Sequence, residues 1–351
     1  MSTLDVRNDD GGVAADAAPR RGAGARLRGA LGPRWYGIYV LIAFVVIFSV
    51  LKTDTFFTVD NFRAIAGNQA VAAILAIALV VPLVAGQFDL SVASVMTLSM
   101  IVCTGLFQSF EAALPLAVLA GIAVGLLFGI ANGVFVARVG VNSLIVTLAT
   151  GSAATGAAQW WTNGTIFTKN IPRTFQDLGQ DQLAGIPLPV VFLAVIAVVV
   201  WWLLERTPVG RYLYALGDNP EAARLTGLRT TALTIGAFAV AGGLAGFAGV
   251  VQAAKLGAGN PTVGASFLLP AFAAAFLGAT IYRLGQYNVL GTVIAVFVVA
   301  VGIAGLEQLG VPFYIEPIFT GIVLLGAVAL TKLEGRRPAG SASSADKEAT
   351  A

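Results

Sequence analysis

The sequence contains no histidine and a single cysteine, Cys103, which lies in an apolar run and reads as an inert buried thiol. Without histidine the chain cannot perform histidine-based acid–base chemistry, and one cysteine cannot form an internal disulfide. Zinc sites, which are built mostly from cysteine and histidine, are excluded as well. We therefore expect no metal site and no histidine-based catalytic residue in this chain.

Charge is also scarce, because only 11% of the 351 residues are charged and 57% are hydrophobic. A membrane span needs about 20 apolar residues, and such runs recur between Tyr36 and Leu330. The pattern predicts an all-α, polytopic membrane protein with about ten transmembrane helices. The predicted spans cover residues 36–51, two helices within 68–107 joined by a turn near 82–91, 114–137, 143–161, 188–204, 232–254, 267–282, 289–306 and 313–331.

Both ends of the chain lack this apolar pattern. Residues 1–34 and 334–351 are predicted to be disordered cytoplasmic tails that flank a transmembrane domain at 35–333. The placement follows from the basic residues, since sixteen of them fall on the side of the N-terminus and five on the other side. Basic loops stay in the cytoplasm, so both termini and the segment 205–231 are expected there, in a multi-pass protein of the cytoplasmic membrane. The formal charge of +3 gives no reason to expect nucleic acid as a partner.

The segment 205–231 is a polar island between apolar spans, and it predicts a short helix. Asn219 is a suitable N-cap, Pro220 suits the first helical position, and Gly227 suits the left-handed residue that ends a helix. Such a helix has about two turns, whereas an isolated helix needs roughly 12–15 residues to be marginally stable. It must therefore pack against something, and the short loops predicted on the same side favour another protein as the partner.

Two interruptions of the apolar pattern stand at comparable places in the two halves. The first, Gly86–Ser91, holds Asp89, the one acid deep in an apolar region, and such acids mark functional sites by default. Asp89 either caps the start of a half-helix or contacts the solute directly. The second interruption is Leu256–Gly264. With five spans in each half, the two interruptions would occupy an inverted repeat, which is a common transporter plan.

A stripe of four glycines, spaced every four residues from Gly121 to Gly133, lies on one face of the fourth predicted span. Such a stripe lets another backbone approach closely. Packing within the chain is the expected role, and a dimer seam is the alternative.

The sequence contains no recognisable ATP-binding motif. It contains no Gly-Lys pair and therefore no phosphate-binding loop. Ion-driven transporters use several intramembrane carboxylates, whereas this chain offers one. These two observations favour an ATPase on a separate chain, so that ATP and magnesium are bound by the partner and this chain holds no cofactor. Because ATP hydrolysis is expected on that partner, this chain is expected to have no catalytic residue and not to be an enzyme.

From about Tyr36 to Thr331 the sequence resembles the ribose/xylose/autoinducer-type permeases of bacterial ABC sugar importers, in the branched-chain amino acid/ribose permease superfamily. Gly86–Ser94 is similar to the family's Gly-Gly-Ile-Asp-Leu-Ser-Val-Gly-Ser, with Gln87 and Ala93 in place of glycine. The segment 210–219, followed by Ala222, Ala223 and Gly227, matches the cytoplasmic loop of the family. Further matching residues are Asn132, Gly133, Arg138 and Ile145–Thr150, and Leu268-Leu269-Pro270 replaces an acidic stretch of the family.

The resemblance implies ten spans in a permease that forms a homodimer or a heterodimer in the lipid bilayer. It also implies a pair of cytoplasmic ATPases that grip the loop helix, and a solute-binding protein outside. The expected function is ATP-driven import of a monosaccharide or related polyol by alternating access. The alternatives are an ion-coupled secondary transporter of a small polar solute and a structural or receptor subunit without transport of its own.

Two sets of residues are expected to carry this function. The residues expected to couple to the ATPase are Gly210, Arg211, Asp218, Asn219, Glu221, Ala222, Ala223, Arg224 and Gly227. The candidates for the solute path are Gln87, Asp89, Ser91, Asn142, Ser143 and Asn260.

Overall fold

The computed structural model describes residues Tyr36–Arg283 and Gly285–Glu334. The predicted N-terminal tail, and the predicted C-terminal tail after Glu334, lie outside the described residues. The described chain is mostly helical. Its two strands are two residues long each, with Gln182–Leu183 (β1) paired antiparallel with Ile186–Pro187 (β2). The prediction of an all-α fold is confirmed.

The described part of the chain forms thirteen α-helices. They are α1 (Tyr36–Leu51), α2 (Val59–Val84), α3 (Val92–Phe110), α4 (Leu114–Val134), α5 (Ser143–Thr162), α6 (Arg173–Gln180), α7 (Leu188–Arg206), α8 (Pro208–Asp218), α9 (Pro220–Leu225), α10 (Thr230–Leu256), α11 (Ala265–Gly278), α12 (Val289–Gln308) and α13 (Ile315–Glu334). A π-helical turn, Phe135–Val139, continues α4.

Each of the ten predicted spans coincides with a helix. Six helices in the described residues are long and apolar enough to cross a membrane, namely α2, α3, α4 with its π-helical turn, α7, α10 and α12. Three further apolar helices are shorter, at Gly37–Leu51, Ala265–Gly278 and Ile315–Ala329. The remaining one, α5, has 20 residues and is interrupted by hydroxyl side chains and Gln159. These helices make the chain a multi-pass membrane protein.

Helix α2 lies at the centre of the bundle. Every residue from Ala70 to Ala85 is buried, because this part of the helix is apolar on all sides and the other helices enclose it. Its neighbours come from both halves of the chain and include α7, α10, α11 and α12. Helix α2 is therefore in contact with helices of both halves of the chain.

The glycine stripe of α4 packs within the chain, as predicted. A Cβ at Gly125 would collide with the carbonyl oxygen of Gly242, and one at Gly129 would collide with that of Phe238, both on α10. The contact between α4 and α10 is the most extensive helix pair in the structure. The two backbones approach this closely because glycine has no side chain at the crossing.

Candidate coupling segment and buried break

The coupling segment, residues 205–231, contains the predicted short helix with its predicted caps. The side-chain oxygen of Asn219 accepts a hydrogen bond from the backbone N–H of Ala222 at 3.0 Å. Pro220 is the first residue of α9, and Gly227 has a φ of +81°, in the left-handed region that glycine adopts without strain. The helix spans Pro220–Leu225, six residues, which is slightly shorter than the two turns predicted.

A second helix of the coupling segment, α8, was missed by the sequence reasoning. Its start follows the rules for a helix N-terminus, since Thr207 accepts a hydrogen bond from the N–H of Gly210 at 3.3 Å and Pro208 is the first helical residue. The Thr207-Pro208 pair was the available signal. A Cβ at Gly210 would collide with the backbone of Leu204, so glycine allows α8 to fold back sharply on the end of α7.

Helix α8 changes the interpretation of how α9 is held. Ala223 is only 5% exposed because α9 packs on its own chain, on α8 and the start of α10, whereas Leu225 is 83% exposed. The expectation that another protein must supply the packing is therefore wrong for the inner face of α9. The outer face still presents a large apolar side chain that no described residue covers.

Most of the predicted coupling residues lie on the surface. Gly210 and Ala223 are buried, and the other seven are exposed: Arg211, Asp218, Asn219, Glu221, Ala222, Arg224 and Gly227. The structure thus brings the set together on two consecutive helices, with their polar side chains outward.

The coupling segment touches the break between α2 and α3. A Cβ at Gly217, near the end of α8, would collide with the carbonyl oxygen of Val84 and would lie 3.1 Å from the backbone N of Gly86. On the other side, a Cβ at Gly86 would lie 3.4 Å from the Cα of Gly217. The two backbones are therefore in direct contact, with no side chain between them.

Within the break, Asp89 fixes the residue that precedes α3. Its Oδ1 accepts hydrogen bonds from the backbone N–H of Ser91 at 2.9 Å and from the Ser91 hydroxyl at 2.6 Å. The prediction that Asp89 itself caps the half-helix is wrong in detail, because Ser91 occupies the N-cap position and Asp89 stands two residues earlier. The carboxylate instead closes a turn around its own backbone, as Asp side chains commonly do.

Asp89 is the first member of a buried polar network. The Ser91 hydroxyl also accepts a hydrogen bond from the side-chain amide of Asn132 on α4 at 2.9 Å, and the Thr150 hydroxyl on α5 donates to the Asn132 carbonyl oxygen at 2.7 Å. Asp89 is 1% exposed, and Asn132 is fully buried. The network therefore joins the break to two further helices, α4 and α5.

Two backbone groups of the break are held by α5 as well. The N–H of Phe88 donates to the Ser143 hydroxyl at 3.3 Å, and the N–H of Leu90 donates to the Thr147 hydroxyl at 3.1 Å. Thr147 was not a predicted site residue, since a lone hydroxyl in an apolar span gives no sequence signal of its partner.

Five of the six candidates for the solute path lie at this break, and the sixth lies elsewhere. Asp89 and Ser91 are buried in the network, Ser143 is buried next to the backbone of Phe88, and Gln87 is partly exposed. Asn142 is exposed and caps α5 by accepting a hydrogen bond from the N–H of Leu144 at 2.9 Å. Asn260 lies at the second interruption.

The second interruption repeats the local geometry of the first. Asn260 accepts hydrogen bonds from the N–H and the hydroxyl of Thr262, both at 2.9 Å, as Asp89 does from Ser91. A glycine with positive φ stands three residues earlier in each case, Gly86 at +74° and Gly257 at +61°. Both interruptions thus have the pattern Gly-x-x-Asp/Asn-x-Ser/Thr, which gives the same turn.

The coupling segment is also tied to the loop between α11 and α12. Arg283 of that loop forms an ion pair with Glu205, whose side chain is nearly buried, and the hydroxyl of Tyr214 on α8 donates to the carbonyl oxygen of Tyr287 at 2.8 Å. Burial, together with the negative charge of Glu205, raises the pKa of Tyr214 to about 12, so its hydroxyl keeps its proton at neutral pH.

The model of the family described as "Branched-chain amino acid transport system / permease component" matches residues 61–328. Two relatives are ribose import permease proteins RbsC. The one from Escherichia coli is 33% identical and the match covers 82% of this chain and 91% of the relative. The one from Haemophilus influenzae is 32% identical and the match covers 82% of this chain and 90% of the relative. The L-arabinose ABC transporter permease protein AraH of Azospirillum brasilense is 31% identical over 87% of this chain and 90% of the relative.

No solved structure matches the chain significantly. The family match covers the helices from α2 into α13, together with the break, its network and the coupling segment. The chain belongs to the family of permease components of branched-chain amino acid transport systems.

Proposed function

We propose that this chain is the membrane-spanning permease subunit of an ATP-driven ABC importer that moves a monosaccharide or related polyol into the cytoplasm. The relatives named as ribose and L-arabinose permeases match more than four fifths of this chain and support a sugar as the solute. The contact of α8 with the break at Gly217 and Gly86 is the observation that carries the mechanism.

In this proposal the coupling segment passes motion from the ATPase to the spans. The partner ATPase grips the outer face of α9, at Leu225 and its polar neighbours. Because α9 packs on α8 and the backbone of α8 touches the end of α2 at Gly217, a displacement of α9 reaches the break. Because the hydrogen bonds from Asp89 to Thr150 join the break to α4 and α5, these two helices move together with the break.

The Glu205–Arg283 pair and the Tyr214–Tyr287 hydrogen bond extend this motion to the second half of the chain. Alternating access requires the two halves to move relative to each other. The repeated turn at Asp89 and Asn260 supports an inverted repeat of five spans in each half, and so ten spans in all.

Asp89 and Ser91 have a structural role in this proposal, since both are buried and hydrogen-bonded to each other. Gln87 and Asn142 remain the candidates for solute contact at this end of the bundle, because their side chains are more exposed. ATP and magnesium are bound by the partner ATPase, a solute-binding protein delivers the sugar outside, and two permease chains form the pore.

An ion-coupled transporter is not favoured. Such a transporter needs an acid that exchanges a proton or a cation with the solute path. Asp89, the buried acid of the break, is enclosed by its own network and accepts two hydrogen bonds from Ser91.

Uptake by the purified complex tests the proposal. The permease is reconstituted in liposomes with its ATPase and binding protein, and uptake of labelled ribose, arabinose and xylose is measured with and without ATP. We expect uptake that needs both ATP and the ATPase and that persists when ionophores collapse the ion gradients. Uptake by the permease alone, driven by an ion gradient, would contradict the proposal.

The proposed orientation has its own test. In a Cys103→Ala background, single cysteines at Asp177 and Asp181 are expected to react with an impermeant thiol reagent added to intact cells, and one at Arg224 is expected to react only after the cells are opened. Labelling of position 224 in intact cells would reject the topology.

A further inference from the structure

Three arginines gather at one end of the groove between α4 and α10. Arg138 is in the π-helical turn that ends α4, Arg224 is in the last turn of α9, and Arg229 precedes α10. All three are exposed and line one cavity of about 850 Å³, which we call the arginine groove. Within the described residues, no carboxylate forms a salt bridge with any of the three guanidinium groups.

The floor of the arginine groove is apolar. Ile130 of α4 and Ile235, Gly236 and Ala239 of α10 line it, and both helices are long and apolar enough to cross the membrane. A second cavity of about 530 Å³ adjoins it and shares Gly236 and Arg229. Apart from Arg229 and Tyr212, the second cavity is lined by apolar residues and by glycine.

We infer that the arginine groove binds an anionic phospholipid of the surrounding bilayer, with its phosphate at the three arginines and its acyl chains along the floor of the two cavities. The charge is complementary to a phosphate, because the guanidinium groups have no acidic partner among the described residues. Basic pockets at the ends of membrane helices bind such headgroups, and each arginine near an anionic surface strengthens binding about fivefold.

Other occupants fit the groove less well. A neutral sugar needs hydrogen-bonding groups along its whole surface, and the floor offers none on its side chains. A soluble ATPase can reach the arginines, but its surface cannot follow the floor between two membrane-spanning helices. An acyl chain fits that floor. The inference uses the proposed function only to place the groove at the cytoplasmic face.

Native mass spectrometry of the purified full-length chain tests the inference. The chain is reconstituted in nanodiscs of phosphatidylcholine and phosphatidylglycerol, without ATPase or solute, and the phosphatidylglycerol that stays bound after extraction is counted. We expect Arg138→Gln/Arg229→Gln to weaken retention by more than about tenfold, from about fivefold for each arginine. The control Arg173→Gln/Arg206→Gln removes the same charge elsewhere and should retain the lipid.

A third variant tests the acyl chains separately. A Cβ at Gly236 would meet nothing within 4 Å, so the side chain of Gly236→Leu can enter the groove without a clash at its Cβ and without a change of charge. It should also lose phosphatidylglycerol, and inorganic phosphate should not displace the lipid from the wild type. Circular dichroism and gel filtration check that all variants are folded.

Several outcomes would overturn the inference. One is that Arg138→Gln/Arg229→Gln retains as much phosphatidylglycerol as the wild type, and a second is that the control variant loses as much of it. The other two outcomes are unchanged lipid retention in Gly236→Leu and displacement of the lipid by inorganic phosphate. Because neither ATP nor sugar enters this assay, its failure leaves the transport proposal intact, and a failure of the uptake assay leaves the lipid result intact.

Discussion

The contact between α8 and the break predicts a specific effect of one added methyl group. In Gly217→Ala the new carbon would overlap the carbonyl oxygen of Val84 and would have to move by about 1 Å or more to reach an ordinary contact distance. The carbonyl belongs to Val84, in the buried part of α2, and has little room to move. We therefore expect α8 to be displaced from the break.

The magnitude follows from two opposing effects. Overpacking of this kind costs about 1–3 kcal/mol, whereas replacing a helical glycine by alanine gains about 0.8–1.0 kcal/mol. The matched control is Gly156→Ala on α5, where a Cβ would meet nothing within 4 Å, so it should show the gain alone. The difference in unfolding free energy between the two variants, about 1–3 kcal/mol, measures the overlap.

The assays are thermal unfolding in detergent and uptake by the reconstituted complex. Gly217→Ala should still insert and bind the ATPase, because α9 is not altered, but ATP hydrolysis should no longer drive uptake at the wild-type rate. Gly156→Ala should transport normally. Wild-type stability and uptake in Gly217→Ala would refute the idea that α8 and the break are coupled through this contact.

Substitutions at three further positions test other parts of the account. Gly227→Val should leave expression normal and abolish ATP-driven uptake. The reason is that valine resists the φ of +81° at the end of α9, at a cost of about 1–3 kcal/mol. Normal uptake would reject the role of α9 in coupling to the ATPase. Asp89→Asn should keep most uptake, because the side-chain carbonyl oxygen of asparagine can accept the hydrogen bonds from Ser91. Asp89→Ala should lose about 1–3 kcal/mol of stability, measured by thermal unfolding. Abolished uptake in a stable Asp89→Asn variant would favour a solute contact instead. Arg283→Gln should destabilise the protein more than Arg173→Gln, whose ion pair is exposed, and equal melting temperatures would contradict that order.

The sequence predicted the features that local rules decide. The ten helices that coincide with predicted spans follow from apolar runs, and the ends of α9 follow from the capping residues Asn219 and Gly227. The packing of α4 on its own chain follows from the glycine stripe. Each of these depends on residues that are close in sequence. The same local rules identify α8 at Thr207-Pro208, and its omission led to the wrong expectation for the inner face of α9.

What the sequence did not reveal depends on tertiary contacts. Asn132 and Thr150 are separated from Asp89 by 43 and 61 positions. The residues around them do not indicate that all three belong to one hydrogen-bonded network. Gly217 looked like an ordinary residue of a polar loop, although it is the point where that loop touches the buried helix. Spacing within a segment cannot show which distant backbone fills the space beside a glycine.

Photocrosslinking from α9 tests most directly whether this helix is the contact with the ATPase. A photoreactive amino acid replaces Leu225, which is 83% exposed, and the control carries it at Phe313, which is 88% exposed and lies at the opposite membrane face in the proposed topology. We predict a covalent adduct with the ATPase subunit from position 225 and none from position 313. A functional complex that gives no adduct at 225, or equal adducts at both positions, would contradict the account.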